Sequence, residues 1–268
     1  MGEVLRGGLL MVVRIVAVTR FKGVPLELLG DGGSAAVEAA QQGRGSDCAR
    51  LIECAGRTCY SSYGRGRSSE NYHRHLLEVG HGSVLEHASI SFFISGVSRG
   101  LTHELVRHRV GVAISQRSTR YCDESESEWA WHPLIRKYLA GNPPLAERVD
   151  DLTQAARIAY DDLVRFLQRE LEASGVDKLA ARKQARGAAR GALGNALATE
   201  LIMTFNLRAL RGVLEQRCSE FADAEIRLLF CEIYKLAKAE CPEFFSDYEE
   251  VPCSDGLGFG LATKHRKV

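Results

Sequence analysis

Four clusters of polar residues in this 268-residue chain have the types and spacing to do chemistry, and the densest is Arg107–Tyr121, RHRVGVAISQRSTRY. It sets Arg107, His108, Arg109, Arg117 and Arg120 among the hydroxyls of Ser115, Ser118, Thr119 and Tyr121. A guanidinium offers a planar fork of donors that fits two phosphate or carboxylate oxygens at once. Several forks beside hydroxyl donors suit an anion with more than one group to hold, such as a nucleotide. The same polarity would suit an exposed loop. The flanks, Gly100–Val106 and Val110–Ile114, are largely apolar and argue instead for a structural setting in which cations need partners.

The other three clusters are weaker alone. In GHGSVLEH, Gly80–His87, two glycines let the backbone approach a ligand closely beside His81 and Ser83, although a histidine in a turn is commonly structural. Ala189-Arg190 holds an isolated arginine, solvated by default. In TFNLRALRGVLEQR, Thr204–Arg217, the residues Asn206 and Arg208 stand at an expected helix start, where unpaired backbone N–H groups favour anions. Arg217 lies at that helix's other end. Arg208, Arg211 and Arg217 read equally well as an exposed basic face.

These clusters need elements to hold them. Strands are expected at Val12–Thr19, Ile90–Ile94 and the second half of Leu197–Phe205, whose first half reads as strand or helix. Helices are expected at Cys48–Tyr60, ending near Cys59, and at Ser69–Val79, capped by Ser68 or Ser69 and closed by Gly80. Further helices are expected at Arg99–His108, Pro144–Ala173, Asp177–Ala192, Leu207–Gln216 and Ala222–Ala237. The last sets Ala222, Ile226, Leu229, Ile233 and Leu236 on one packing stripe. Gly30–Gly45 reads as a loop with a short helix, and Asp123–Glu128 as an exposed acidic loop. Trp129–Pro133 begins a largely helical half. Beyond Pro252 the Gly-rich, then basic, tail is expected to be mobile. Without repeats or a linker, the expectation is an α/β single domain with a mixed sheet flanked by helices and a largely helical second half.

Composition narrows the function. Apolar residues at 45 % and charged residues at 26 % are ordinary for a globular chain. With 35 basic against 34 acidic side chains the net charge is +1, which argues against a nucleic-acid partner bound through phosphates. Aromatic interleaving is absent too. No run of 18 apolar residues exists, so no membrane partner is expected. The opening MGEVLRGGLLMVVRIVAV lacks a small-residue cleavage pattern and reads as a leader followed by a strand. Eight cysteines (48, 54, 59, 122, 218, 231, 241 and 253) form no C-x-x-C pair and read as free thiols of a reducing cytosol. His73 and His75 are two apart, and His81 and His87 six apart. Neither matches the spacing of two metal ligands on one helix face, so no metal is expected.

Taken together, the motifs resemble those of the flavin-dependent thymidylate synthases. That family's signature is R-H-R, seven arbitrary residues and Ser, then Arg-Tyr. Arg107-His108-Arg109 matches its start and Ser118-Thr119-Arg120-Tyr121 its end, with eight residues between Arg109 and Ser118. AGRTCY (55–60), GHGSVLEH, Ala189-Arg190, the N-x-R of Asn206 and Arg208, and Arg217 followed by Ala224-Glu225-Ile226 occur in the family's order. The resemblance covers a domain at 12–251, with an extension at 1–11 and a tail at 252–268.

The resemblance implies methylation of dUMP to dTMP with methylenetetrahydrofolate as carbon donor, NADPH as reductant and bound FAD. It implies a cytoplasmic homotetramer with active sites shared between subunits. Arg107, His108 and Arg109 would contact FAD, with Arg107 also near dUMP. His81 and Ser83 would face the flavin from a neighbouring subunit, and Gln116 would touch both ligands. Arg117, Ser118, Thr119, Arg120 and Arg190 would gather round dUMP, the last four at its phosphate. Asn206 and Arg208 would hold FAD, and Arg217 would sit against the uracil. Glu104 stands where the family often has Gln, so it must pair with an arginine or a ribose hydroxyl. Gly212 stands for a frequent Asn and offers FAD only backbone. Phe221 and Gly194 replace a His and a Pro of some members. Ser118 is not expected to be a nucleophile, since arginines cannot serve as its base. A flavoprotein using NADPH with another nucleotide is the alternative.

Overall fold

The computed structural model describes residues 10–24, 45–63 and 67–268. The loop and short helix expected at 30–44, and residues 1–9 of the leader, lie outside them. The fold is α/β. Four strands, β1 (Val12–Val18), β2 (Ser89–Ser98), β3 (Val112–Gln116) and β4 (Ala198–Asn206), form a sheet in the order β1-β2-β4-β3. A separate antiparallel pair joins β5 (Glu249–Pro252) to β6 (Phe259–Ala262), with Glu249 opposite Ala262. The remaining elements fall in two compact units.

One unit comprises Ile94–Arg107 and Ser115–Leu201 with residues 10–12. It holds α3 (Arg99–Leu105), α4 (Pro133–Leu139), α5 (Pro143–Ala173) and α6 (Lys178–Ala189). α5 starts because Asn142 caps Leu145 N and proline occupies the first turn, where no N–H is needed. Gly175, at φ +88°, reverses the chain into α6, whose start Asp177 caps through Leu179 N and Ala180 N. α6 then buries Ala181, Ala185 and Ala189, one small side chain per turn, along its contact with α5. α3 stops at Leu105, three residues short of the expected His108, where Val106 N and Arg107 N close its end on Thr102 O and Glu104 O.

The other unit comprises the described residues of Val13–Phe93, His108–Ile114 and Ile202–Val268. It holds α1 (Asp47–Cys59), α2 (Ser69–Glu78), a 3-10 turn at Gly82–His87, α7 (Leu207–Arg217) and α8 (Ala224–Glu240). Its core is centred on α8, where Ile226, Leu229, Phe230, Ile233, Tyr234 and Ala237 are buried. Each such large apolar side chain contributes about 1.5–3 kcal/mol on leaving water. Ala222 and Leu236 of the expected stripe are only half-buried, and Asp223 caps the helix. The AGRTCY motif serves this packing. Gly56 leaves no room for a Cβ beside Tyr72, and buried Arg57 donates to Glu53 at 2.6 Å and to the carbonyl of Arg67 at 2.8 Å.

Three elements depart from expectation. β3 arises inside the polar segment, unannounced by its sequence. β4 is strand along its whole length, with Thr199, Leu201, Met203 and Phe205 buried in alternation. The stretch beyond Pro252 carries β6, and Val268 is buried.

Candidate functional site

In the second unit, β4 delivers the chain into α7 at Asn206, whose Oδ1 accepts from Ala209 N at 2.7 Å and satisfies one of the helix's unpaired donors. Asn206 N donates to Gly111 O at 2.9 Å, so the middle of the polar segment is tied to the start of α7. Gly111 has φ +70°, and a Cβ there would stand 2.6 Å from Asn206 Nδ2. Only glycine fits.

Arg208 leaves the first turn of α7 half-exposed and donates to Glu86 at 2.6 Å. Glu86 belongs to the 3-10 turn Gly82–His87, the GHGSVLEH stretch. A Cβ on Gly82 would come within 3.0 Å of Arg208 Nε. His81, half-buried beside Tyr60, and exposed Ser83 flank that glycine. Gly212 is open, with nothing within 4 Å of where a Cβ would stand. At the far end of α7, Arg217 Nε donates to His108 Nε2 at 2.8 Å across 109 positions of sequence. Burial, then the neighbouring Arg217 charge, pushes His108 below its ordinary value. His108 is therefore a neutral acceptor that orients a guanidinium. Arg109 is exposed.

The exposed basic face expected of α7 fails at Arg211. It is fully buried, with a bidentate pair to Asp247 at 2.8 and 2.9 Å and further bonds to the carbonyls of Phe244 and His265. Its partners lie more than 30 residues away, which sequence periodicity does not register.

In the first unit, Ser118–Tyr121 forms a turn. Tyr121 N and Cys122 N both donate to Ser118 O, at 3.1 and 2.9 Å. Thr119 is buried, and its Oγ1 accepts from Arg190 Nη1 at 3.5 Å, drawing that arginine from the end of α6 to the turn. Arg120 is exposed, with Gly187 of α6 against its side-chain stem. Gln116 donates from Nε2 to Thr102 Oγ1 and Thr199 Oγ1, at 3.2 and 3.3 Å, through both N–H groups of its amide, whose carbonyl oxygen is an acceptor. Arg107 is exposed and Glu104 half-buried at the end of α3, with Arg107 N bonded to Glu104 O. Arg117 engages Glu124, Glu200 and Asp123 O.

Sequence reading missed Glu86, Glu124 and Arg186, which pair with or lie beside the expected site residues. Glu86 was within the GHGSVLEH motif, whereas Arg186 and Asp123 are 63 positions apart. All eight cysteines are free thiols and five are buried. Among the described residues no helix is long and apolar enough to cross a membrane.

Residues 44–243 match the family described as thymidylate synthase complementing protein. The chain is also similar to the flavin-dependent thymidylate synthase of Mycolicibacterium gilvum, at 43 % identity over 78 % of this chain and 82 % of that protein. The protein of the same name from Mycolicibacterium vanbaalenii is 40 % identical over 91 % of this chain and 92 % of its own length. That of Mycobacteroides abscessus is 41 % identical over 79 % and 84 %.

Proposed function

The chain belongs to the flavin-dependent thymidylate synthases, and from that premise we propose that it methylates dUMP to dTMP with methylenetetrahydrofolate, NADPH and FAD. The observation that carries the reading is the bond between Arg217 and His108, which ties the signature to the arginine expected against the uracil. Methylation at C5 needs an electron-rich ring. A guanidinium beside N3 and O2 stabilises the deprotonated, enolate-like uracil as charge develops there. Neutral His108 holds Arg217 from one side without competing for that charge.

The second unit's donor set fits a flavin dinucleotide. At the start of α7, Leu207 N and Ala209 N already donate to Ala88 O and Asn206 Oδ1, so Arg208 and Arg109 offer the cations, and Gly212 leaves its backbone approachable. Asn206, Arg208, Gly212, His108 and Arg109 of this unit would hold FAD, the resemblance implies a contact from Arg107 as well, and His81 and Ser83 would complete the site in a neighbouring subunit. Bound FAD supplies hydride chemistry that no side chain provides. In the first unit, Ser118, Thr119, Arg120 and Arg190 bind the dUMP phosphate. Gln116 presents its carbonyl oxygen to the nucleotide, and Glu104 accepts from a ribose hydroxyl. The synthase domain spans 12–251, and the enzyme works as a cytoplasmic homotetramer.

The test is direct. Purified protein should absorb at about 450 nm from its flavin and release the C5 proton of dUMP. Colourless protein that ignores dUMP would end the reading. Flavin with turnover on a different nucleotide would keep the cofactor and replace the substrate.

A further inference from the structure

The residue directly before the phosphate turn, Arg117, is turned away from it into an acidic cleft of about 540 Å³ lined by Asp123, Glu126, Glu128 and Glu200. Its Nη2 donates to Asp123 O at 3.0 Å, its Nε stands 3.5 Å from Glu124 Oε1 and its Nη1 3.7 Å from Glu200 Oε1. Glu124 is the pivot. It is only 2 % exposed, its carboxylate accepts from Ser127 Oγ, and its backbone N donates to the buried Tyr160 hydroxyl of α5 at 3.3 Å. From α6, Arg186 donates to Tyr121 O at 2.8 Å and pairs with Asp123. Burial raises the Asp123 carboxyl, but bonds from Ser125 and the Arg186 charge hold it below the usual range. From α5, Arg157 donates to Ser127 O at 2.8 Å.

The segment 121–127 is thus held by three arginines and a tyrosine. It is joined to the turn through the two amides that donate to Ser118 O. A loop with only solvent to satisfy would not bury Glu124, whose charge needs a partner.

We propose that Arg117, Glu124 and Arg186 are positioning residues that fix the Ser118–Arg120 turn for a nucleotide 5′-phosphate, and that Arg117 does not itself touch the nucleotide. The proposal rests on the dUMP reading above. It reassigns Arg117 from ligand to buttress.

The test compares dUMP with deoxyuridine, which lacks the phosphate, by calorimetry on flavin-loaded enzyme. The variants are Glu124→Gln, Arg117→Lys and Arg186→Lys, the last resting on α6 should the buried site not tolerate change. Each variant is expected to weaken dUMP binding about tenfold, as small misplacements of binding groups do, and to leave deoxyuridine within about twofold. Turnover at saturating dUMP should stay near the parent value. A general loss of structure would weaken both ligands together and overturn the proposal. So would Glu124→Gln leaving dUMP binding unchanged or tighter while Arg117→Lys weakens it, since that marks Arg117 as a direct ligand. If the parent enzyme binds dUMP no better than deoxyuridine, the nucleotide reading itself fails.

Discussion

The two ends of the Arg107–Tyr121 segment are held by different physics. At His108, in the second unit, the contact is one hydrogen bond between a neutral imidazole and a guanidinium, in a half-buried setting. At Ser118–Arg120, in the first unit, the turn is braced by a lattice of ion pairs, several of them open to solvent. The first device depends on protonation and is little touched by salt. The second depends on charge and is screened. Arginines that look alike in sequence thus divide three ways: Arg211 is core structure, while on the proposed reading Arg217 does chemistry and Arg117 and Arg186 brace the turn.

The largest effect that would sharpen this division is at the structural arginine. Asp247→Ala leaves Arg211 buried without its carboxylate and should cost about 3–5 kcal/mol, read as a fall in Tm. Asp247 touches none of the expected site residues, so the folded fraction should keep its specific activity. An unchanged Tm would place Arg211 with the surface cations instead.

Next comes acid stability in the second unit. Burial works to raise Glu53, but His73 Nε2 at 3.4 Å, the bond from Arg57 and Ser69 bring it down to about 2. A carboxylate with a depressed folded value stabilises above its unfolded value and loses that contribution as pH falls to the folded one. The shift corresponds to about 3 kcal/mol, lost between pH 4.5 and about 2. Glu53→Gln should flatten the dependence of unfolding free energy on pH across that window. An unaltered slope would remove Glu53 from the account.

Gly111→Ala should follow, at about 1–3 kcal/mol for a left-handed backbone with a clash at Asn206. Measured FAD content should fall with it, because Asn206 opens α7. Retained flavin and unchanged Tm would break the link between the middle of the segment and the helix.

These positions also show what the sequence made legible. α1, α2, α7 and α8 follow from apolar spacing and cap residues, and β1 from its β-branched run. β3 did not, because five residues inside a polar motif carry no distinct period. β6 did not, because glycines mark the turn at Gly256 and Gly258 but not the strand that follows. The motifs named the residues proposed for the site, but not which arginines were already paired with carboxylates. Asp247, Glu124 and Asp123 reach their arginines through the fold, at separations from 7 to 63 residues. The acidic, serine-rich stretch looked solvated for that reason.

The smallest effects separate the two ends by condition. Moderate salt should weaken dUMP binding by less than about 1 kcal/mol beyond simple phosphate screening, as exposed pairs of the first unit relax. The Arg217–His108 bond should respond to pH instead. Because His108 lies below its ordinary value of 6.5, it stays a neutral acceptor as pH falls through 6.5 and is lost only further down. The same shift means the unfolded chain takes up the proton first, so this site's contribution to stability declines below pH 6.5. An acid limb of kcat above that value would contradict the neutral assignment.

On the proposed reading, Arg217, oriented by His108, makes the pyrimidine reactive. The most direct measurement is tritium release from dUMP labelled at C5, compared between the parent enzyme and Arg217→Ala at matched flavin content and Tm. Release by the parent, with a fall of about 10²–10³-fold in the variant, is the predicted result. Equal release by both would contradict it.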